Sequence, residues 1–179
     1  MNRKKGLMLF AVIPVLLGAF CLCPSFQRKA DESYEITNHV FKVRISAYRE
    51  KDVFSVLAGR YYEFQSSSVV SPHWKTIMTF RHDDPVPIPR EQVRFVNDQI
   101  CYVYMGWVYA VTTNGGDTWS VWNAEKDLPN WECCNYSLIR DVSLNSQGIG
   151  NMILRPISGR RGEIPLLKTL DYGRHWNQE

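Results

Sequence analysis

Two stretches of the chain alternate short apolar runs with compact polar turns. Residues 92–112 contain three runs rich in β-branched and aromatic residues, separated by Asn97-Asp98 and Met105-Gly106. β-Branched and aromatic residues favour strands, whereas Asn, Asp and Gly favour tight turns. A second stretch, residues 137–176, repeats this layout, with its runs at 139–144, 150–157 and 164–169. The pattern predicts an all-β fold built from short antiparallel hairpins.

A polar turn of fixed spacing follows the third run in both stretches. Residues 112–119 read Thr-Thr-Asn-Gly-Gly-Asp-Thr-Trp, and residues 169–176 read Thr-Leu-Asp-Tyr-Gly-Arg-His-Trp. In such a turn a short polar side chain accepts hydrogen bonds from backbone N–H groups, and a following residue tolerates positive φ. The residues that we predict to hold the two turns are Thr112, Asn114, Gly116, Thr118 and Trp119 in the first, and Thr169, Asp171, Gly173 and Trp176 in the second.

The Trp that closes each turn indicates how the units are packed and spaced. An indole at the start of the returning strand can bury its apolar face between neighbouring sheets while its N–H finds a carbonyl. A weaker third copy at residues 67–74 keeps Ser67 and the final His73-Trp74 but lacks the Asp and the Gly. The three Trp residues lie 45 and 57 positions apart, close to the roughly 40–50 residues of a propeller blade. We therefore predict about three blade-like units after residue 30.

The turns resemble the Asp-box, also called the BNR repeat, whose pattern is Ser/Thr-x-Asp-x-Gly-x-Thr-Trp. The first turn departs from this pattern at Asn114 and the second at His175. The layout of residues 92–119, and more weakly that of residues 137–176, is similar to the photosystem II stability and assembly factor family, and sialidases share the box. The resemblance implies a propeller-like fold of antiparallel four-stranded sheets, here with about three units where those families have seven and six blades.

The first 30 residues follow a different pattern. An uncharged, mostly apolar run from Gly6 to Gln27 spans 22 residues, which is long enough for a helix to cross a bilayer. Cations flank this run at Arg3, Lys4 and Lys5 and again at Arg28 and Lys29. We predict that residues 1–30 form one hydrophobic helix, a signal anchor or transmembrane segment, and that residues 31–179 form an exported Asp-box β domain.

Two alternatives for the N-terminal segment stay open. A cleaved signal peptide has the same positive start and apolar middle. A lipoprotein signal would use Cys21 or Cys23, although Phe20 and Leu22 stand where a small residue is needed. Because more positive charge precedes the apolar run than follows it, we expect a single-pass inner-membrane protein whose β domain faces the periplasm or the cell exterior.

Composition and charge narrow the classes of partner. The chain has 179 residues, of which 45% are hydrophobic and 13% aromatic, which suits one compact core. After residue 30 there are 16 Lys and Arg against 18 Asp and Glu. This balance gives no reason to expect nucleic acid as a partner. A protein partner, the membrane through the N-terminal helix, and a glycan remain.

The cysteines divide between the apolar segment and the β domain. Cys101, Cys133 and Cys134 belong to the domain, and an oxidising compartment permits one bridge, from Cys101 to either of the other two. A vicinal bridge between Cys133 and Cys134 would be strained. The alternative is that Cys101 is a buried strand residue with a free thiol.

Motifs for catalysis, metal binding or cofactors do not occur in the sequence. The resemblance to sialidases implies an arginine cluster and a tyrosine nucleophile, but the chain lacks a Phe/Tyr-Arg-Ile/Leu-Pro motif. The run His82-Asp83-Asp84 is typical of a solvated turn rather than a metal site. We expect His73 and His175 to be packed structural residues. The prediction is a protein that is not an enzyme and needs no cofactor or metal.

Two surface segments are candidates for partner recognition. The aromatic loop 128–136 carries Trp131 and Tyr136, and a polar tip carries Arg160 and Arg161. Trp, Tyr and Arg dominate the energetics of protein interfaces. The alternative is that Trp131 folds inward and the two Arg residues only solubilise a hairpin.

Three functional hypotheses follow from these patterns. The first is a membrane-anchored, non-catalytic binding module that assists assembly or stability of an envelope complex. The second is a small exported immunity or inhibitor protein that neutralises a toxin. The third, from the enzyme class, is a degenerate glycan-binding or glycosidase-like protein.

Overall fold

The computed structural model of the chain describes residues 29–49, 59–71, 73–82, 88, 90–128, 136–156 and 166–178. Within them the chain forms three four-stranded antiparallel sheets, and the strands of each sheet are neighbours in chain order. This arrangement confirms the prediction of an all-β fold with three blade-like units. The helix predicted for residues 1–30 falls almost wholly outside the described residues.

Each sheet is a simple meander. The first contains β1 (Glu32–Thr37), β2 (Phe41–Arg49), β3 (Arg60–Ser68) and β4 (Lys75–His82). A 3-10 turn at Arg90–Gln92 leads into the second sheet, which contains β5 (Val93–Phe95), β6 (Cys101–Met105), β7 (Val108–Thr112) and β8 (Ser120–Asn123) and is followed by the short helix α1 (Ala124–Asp127). The third contains β9 (Tyr136–Leu144), β10 (Gly150–Pro156), β11 (Leu166–Thr169) and β12 (Asn177–Gln178). Each predicted apolar run overlaps one of β5 to β7 or β9 to β11.

The second sheet lies between the other two, and both of its faces are buried. Every residue of β6 and β7 is buried, which explains why both read as continuous apolar runs rather than as alternating ones. Side chains alternate between the two faces of a strand. The face toward the first sheet carries Cys101, Val103, Met105, Val108 and Ala110, and the face toward the third carries Tyr102, Tyr104, Tyr109 and Val111.

The first sheet shows a clean alternation between its core side and its outer side. Phe41, Val43, Ile45 and Ala47 of β2 and Tyr62 and Phe64 of β3 are buried against the second sheet. The residues between them are mostly polar. We call the side that points away from the second sheet the first-sheet outer face, and it presents Lys42, Arg44, Ser46, Tyr48, Tyr61, Glu63 and Gln65.

The described part of the chain contains no helix whose length and hydropathy would suit a membrane crossing. The predicted anchor lies before that part, so its membrane role stays a prediction.

Candidate functional site

The turn at residues 112–119 is held by a compact set of side-chain hydrogen bonds. The Thr112 hydroxyl accepts from the Gly116 N–H at 3.0 Å and donates to Asn114 Oδ1 at 3.0 Å. Asn114 Oδ1 also accepts from the Thr118 N–H at 3.1 Å, and Asn114 Nδ2 donates to the Thr118 hydroxyl at 2.9 Å. Each predicted polar residue of this turn therefore forms a hydrogen bond with a backbone group or with another side chain of the turn.

The turn at residues 169–176 repeats this geometry with a charged residue. The Thr169 hydroxyl accepts from the Gly173 N–H at 2.8 Å and donates to Asp171 Oδ1 at 2.8 Å. The His175 N–H donates to the same oxygen at 3.0 Å, and His175 Nδ1 lies 2.6 Å from Asp171 Oδ2. The expectation that His175 is packed is wrong, because its side chain is 83% exposed. His73 is exposed as well.

Each turn packs against the sheet that precedes its own sheet in the chain. Gly116 has a φ of 86° and lies so close to Phe41 of the first sheet that a Cβ atom there would stand 2.7 Å from its ring. Gly173 has a φ of 78°, and a Cβ atom there would stand 2.6 Å from the ring of Tyr109 in the second sheet. Only glycine combines this backbone conformation with so close an approach.

The Trp residue that closes each turn also packs against the preceding sheet. Trp119 makes an edge contact with Phe41 of the first sheet, at 6.3 Å between ring centroids. Trp176 makes one with Tyr109 of the second sheet, at 5.5 Å. Each indole thus points toward the sheet that comes before its own.

Trp74, which closes the weaker third copy, points to the side where the first sheet has no predecessor among the described residues. The guanidinium of Arg44 lies 4.1 Å from the centroid of the Trp74 ring, and Lys42 Nζ lies 5.1 Å from it. Both cations belong to the first-sheet outer face. Trp74 is only half-buried there, so a cation stack takes the place of an apolar sheet-to-sheet contact.

A cleft of about 610 Å³ opens on this face. Its floor is made by cross-strand pairs of β2 and β3, in which Arg44 faces Gln65, Ser46 faces Glu63 and Tyr48 faces Tyr61. Lys29, Ala30 and Ser33 form the side nearest β1.

Gln65 links two charged residues of the cleft, Arg44 and Glu63. Arg44 donates to Gln65 Oε1 from Nε at 3.1 Å and from Nη2 at 2.6 Å, and Gln65 Nε2 donates to Glu63 at 3.2 Å. Glu63 also accepts from the hydroxyls of Tyr48 at 3.3 Å and Thr76 at 2.9 Å. Burial and the Glu63 carboxylate raise the pKa of Tyr48, so its hydroxyl stays a proton donor.

A second polar cluster joins the second and third sheets. Arg94 Nη2 lies 3.2 Å from Asp141 Oδ1, the Tyr104 hydroxyl donates to that same oxygen at 3.4 Å, and the Tyr102 hydroxyl donates to the Val142 carbonyl at 2.9 Å. Burial, with the Asp141 carboxylate, raises the pKa of Tyr104 to about 12. A phenol with this pKa is protonated at neutral pH, so the Tyr104 hydroxyl donates a hydrogen bond that helps to join the two sheets.

The residues predicted for partner recognition are mostly outside the described part of the chain. Trp131, Arg160 and Arg161 fall there, and so do the disulfide candidates Cys133 and Cys134. Tyr136 is the first residue of β9 rather than part of a loop. Cys101 is a buried free thiol in β6, and burial raises the pKa of that thiol. This agrees with the alternative interpretation of Cys101 as a strand residue.

Sequence reasoning missed the outer-face residues Arg44, Tyr48, Tyr61, Glu63 and Gln65. The signal was available in the alternation of residues 41–49 and 60–68, where every second position is polar or Tyr. Among the described residues there is also no group of three His, Cys, Asp or Glu side chains placed to hold a metal ion.

Comparison with known proteins gives no match to this chain among family models, curated proteins or solved structures. The function of this chain must therefore be inferred from the geometry of the sheets and of the cleft.

Proposed function

We propose that this chain is a membrane-anchored, non-catalytic protein-binding module whose β domain faces the periplasm or the cell exterior, where it assists assembly or stability of an envelope complex. The apolar run from Gly6 to Gln27 would supply the anchor. The turns at residues 112–119 and 169–176 would be Asp boxes, a proposal supported by their matching hydrogen bonds.

The polar outer face of the first sheet is the observation that supports a binding role. The second and third sheets each cover, with an apolar face, the sheet that precedes them, whereas the corresponding face of the first sheet is a polar and aromatic cleft. That cleft is lined by Arg44, Tyr48 and Tyr61, and Trp74 stacks against the guanidinium of Arg44. Arg, Trp and Tyr are the residue types enriched at the energetic centres of protein interfaces.

Affinity purification of the tagged full chain from its own solubilised membranes tests this proposal. The matched control bait carries residues 1–30 fused to an unrelated domain, so that proteins held by the membrane segment alone can be subtracted. A partner recovered in near-equal amount with the full chain and not with the control supports the proposal. Its identity as a complex subunit or as a toxin separates an assembly role from an immunity role.

One outcome would replace the proposal. Recovery of the chain without any partner, together with saturable binding of a complex glycan, would move the function to the glycan-binding hypothesis.

A further inference from the structure

The first-sheet outer face corresponds in position to surfaces that bind another sheet elsewhere in the molecule. In the second sheet this position is filled by Cys101, Val103 and Met105 of β6, and in the third by Met152 and Leu154 of β10, all buried. In the first sheet it is filled by polar and charged side chains. The face is therefore placed like an interface but has different chemistry.

This chemistry does not suit a further apolar sheet. Burying Arg44 and Glu63 under an apolar layer would remove two charges from water without supplying partners, which is costly. A second copy of this chain is also a poor occupant. The outward side of its third sheet would bring the exposed Arg155 and Lys168 toward Lys42 and Arg44, and like charges repel.

Arg44 has unused hydrogen-bonding capacity in a fixed orientation. A guanidinium has five N–H donors, and Arg44 directs two of its nitrogens to the single oxygen Gln65 Oε1. No carboxylate within the described ranges forms an ion pair with Arg44. The Trp74 ring on one side and the Gln65 amide on the other hold the guanidinium in place. A positioned, unpaired guanidinium is complementary to a carboxylate, which it can bind through two N–H groups.

Glu63 limits what else can enter the cleft. Its carboxylate accepts hydrogen bonds from Tyr48, Gln65 and Thr76, all of which are neutral donors. The positive charges of Arg44, Lys42 and Lys29 on the same face outnumber its negative charge, so a ligand with a net negative charge is still favoured. A ligand with one acidic group among neutral hydrogen-bonding groups fits both residues.

The aromatic residues at the cleft favour a peptide over a saccharide as its ligand. Sugar recognition commonly uses an open aromatic face. The guanidinium of Arg44 lies over the Trp74 ring, and the two Tyr rings that line the cleft, Tyr48 and Tyr61, contact each other at 6.2 Å between ring centroids. A cleft of about 610 Å³ lies within the roughly 300–1,000 Å³ of sites that enclose small ligands. It can take a short segment of chain rather than a folded domain.

We propose that the first-sheet outer face binds an extended segment of a partner protein whose Asp or Glu side chain pairs with Arg44 above Trp74. This inference deepens the proposed function and depends on it.

Selection from a library of random heptapeptides, with the full chain in detergent as bait, tests the inference. The wild-type chain is expected to enrich peptides that contain a single Asp or Glu. Replacing that residue by Asn or Gln in a selected peptide is expected to weaken binding to the wild type about tenfold or more. The same replacement should have little effect on binding to the variant Arg44→Gln.

Two further variants make the result specific. Arg44→Lys keeps the charge but loses the planar fork, so it should recover only part of the affinity. Arg155→Gln removes an exposed cation from the third sheet and should bind like the wild type. Circular dichroism of each variant checks that the fold is retained, and retained binding of acidic peptides by a folded Arg44→Gln variant would overturn the inference.

The remaining outcomes separate this inference from the proposed function. Selected peptides that bind the wild type and the Arg44 variants equally would place the binding surface elsewhere and leave the module proposal standing. No enrichment of any peptide, with Arg44-dependent binding of a carboxylated saccharide, would overturn both.

Discussion

The indole Nε1 of Trp119 donates a hydrogen bond of 3.1 Å to the Ser66 hydroxyl and so joins the second sheet to the first. Ser66 directly precedes Ser67, the first residue of the weaker turn copy. In the second sheet the equivalent position, directly before Thr112, is occupied by Val111. The indole N–H of Trp176 is buried without a hydrogen-bond partner among the described residues. The contact between the first two sheets therefore has an indole hydrogen bond, whereas among the described residues the contact between the second and third sheets is linked by other polar groups.

Removal of the Ser66 hydroxyl should weaken the contact between the first two sheets. Ser66 is 2% exposed, so Ser66→Ala leaves the Trp119 N–H without its acceptor and should lower the free energy of unfolding by about 1–2 kcal/mol. Urea unfolding of the full chain in detergent, followed by circular dichroism, measures this loss. Ser143→Ala is the control, because Ser143 is exposed, and an equal loss in both variants would contradict the assignment.

A hydroxyl introduced at position 111 should supply the missing acceptor in the second contact. Val111 and Trp176 belong to the same core cluster. Val111→Thr should therefore lower the free energy of unfolding by less than about 0.5 kcal/mol, or even raise it. The new hydrogen bond to the Trp176 N–H offsets the cost of burying the hydroxyl. Val142→Thr places the same group at another fully buried position and should cost about 1–3 kcal/mol. If the two variants unfold at the same urea concentration, the equivalence of Val111 and Ser66 is wrong.

The close approach of the turn to the preceding sheet predicts a difference between neighbouring glycines. Gly115 and Gly116 both have positive φ, but a Cβ atom on Gly115 would meet Val40 at 3.2 Å, whereas one on Gly116 would meet Phe41 at 2.7 Å. Gly115→Ala should cost about 1 kcal/mol, mostly through the backbone, because Val40 needs to move only slightly. Gly116→Ala should cost about 2–4 kcal/mol, because the ring of Phe41 must also move. Thermal unfolding of the pair measures the difference, and equal costs would refute the steric account.

Local chemistry explains which parts of the fold could be predicted from the sequence. The bonds of the turn at Thr112 and Asn114 span two to four residues, so residue types at short spacing are sufficient to specify them. The buried strands β6 and β7 could also be predicted from the sequence, because a strand in a sheet that is covered on both faces requires a continuous apolar run.

The outer-face cleft needed information that short spacing does not contain. Alternation shows that Arg44 and Gln65 lie on the polar sides of their strands, but their pairing is fixed by a register across 21 residues of chain. The stack of Arg44 on Trp74 depends further on the path of the turn between β3 and β4. The exposure of His175 was missed for a different reason: its partner Asp171 is only four residues away, and their contact holds the His175 ring in the turn rather than in the core.

Asp171 and Asn114 perform the same backbone role with and without a charge, which predicts a local pH dependence. Burial is the largest influence on Asp171 and raises its pKa, but hydrogen bonds from the His175 ring, the His175 N–H and the Thr169 hydroxyl together lower the pKa below the ordinary value of 3.8. The ionised form is therefore favoured in the folded state. The stabilisation by the ionised Asp171 carboxylate is complete at pH values above the ordinary pKa, and it is lost as the pH falls through the lowered pKa.

The difference in free energy of unfolding between the wild type and Asp171→Asn should thus be largest near pH 5 and shrink toward about pH 2.5. Urea unfolding at several pH values in this range, followed by circular dichroism, measures it. Asn114→Asp is the matched control, because it places a carboxylate in the first turn and should give that turn the acid sensitivity that Asp171→Asn removes from the second. A difference that stays constant from pH 5 to pH 2.5 would show that the hydrogen bonds to Asp171 do not depend on its charge.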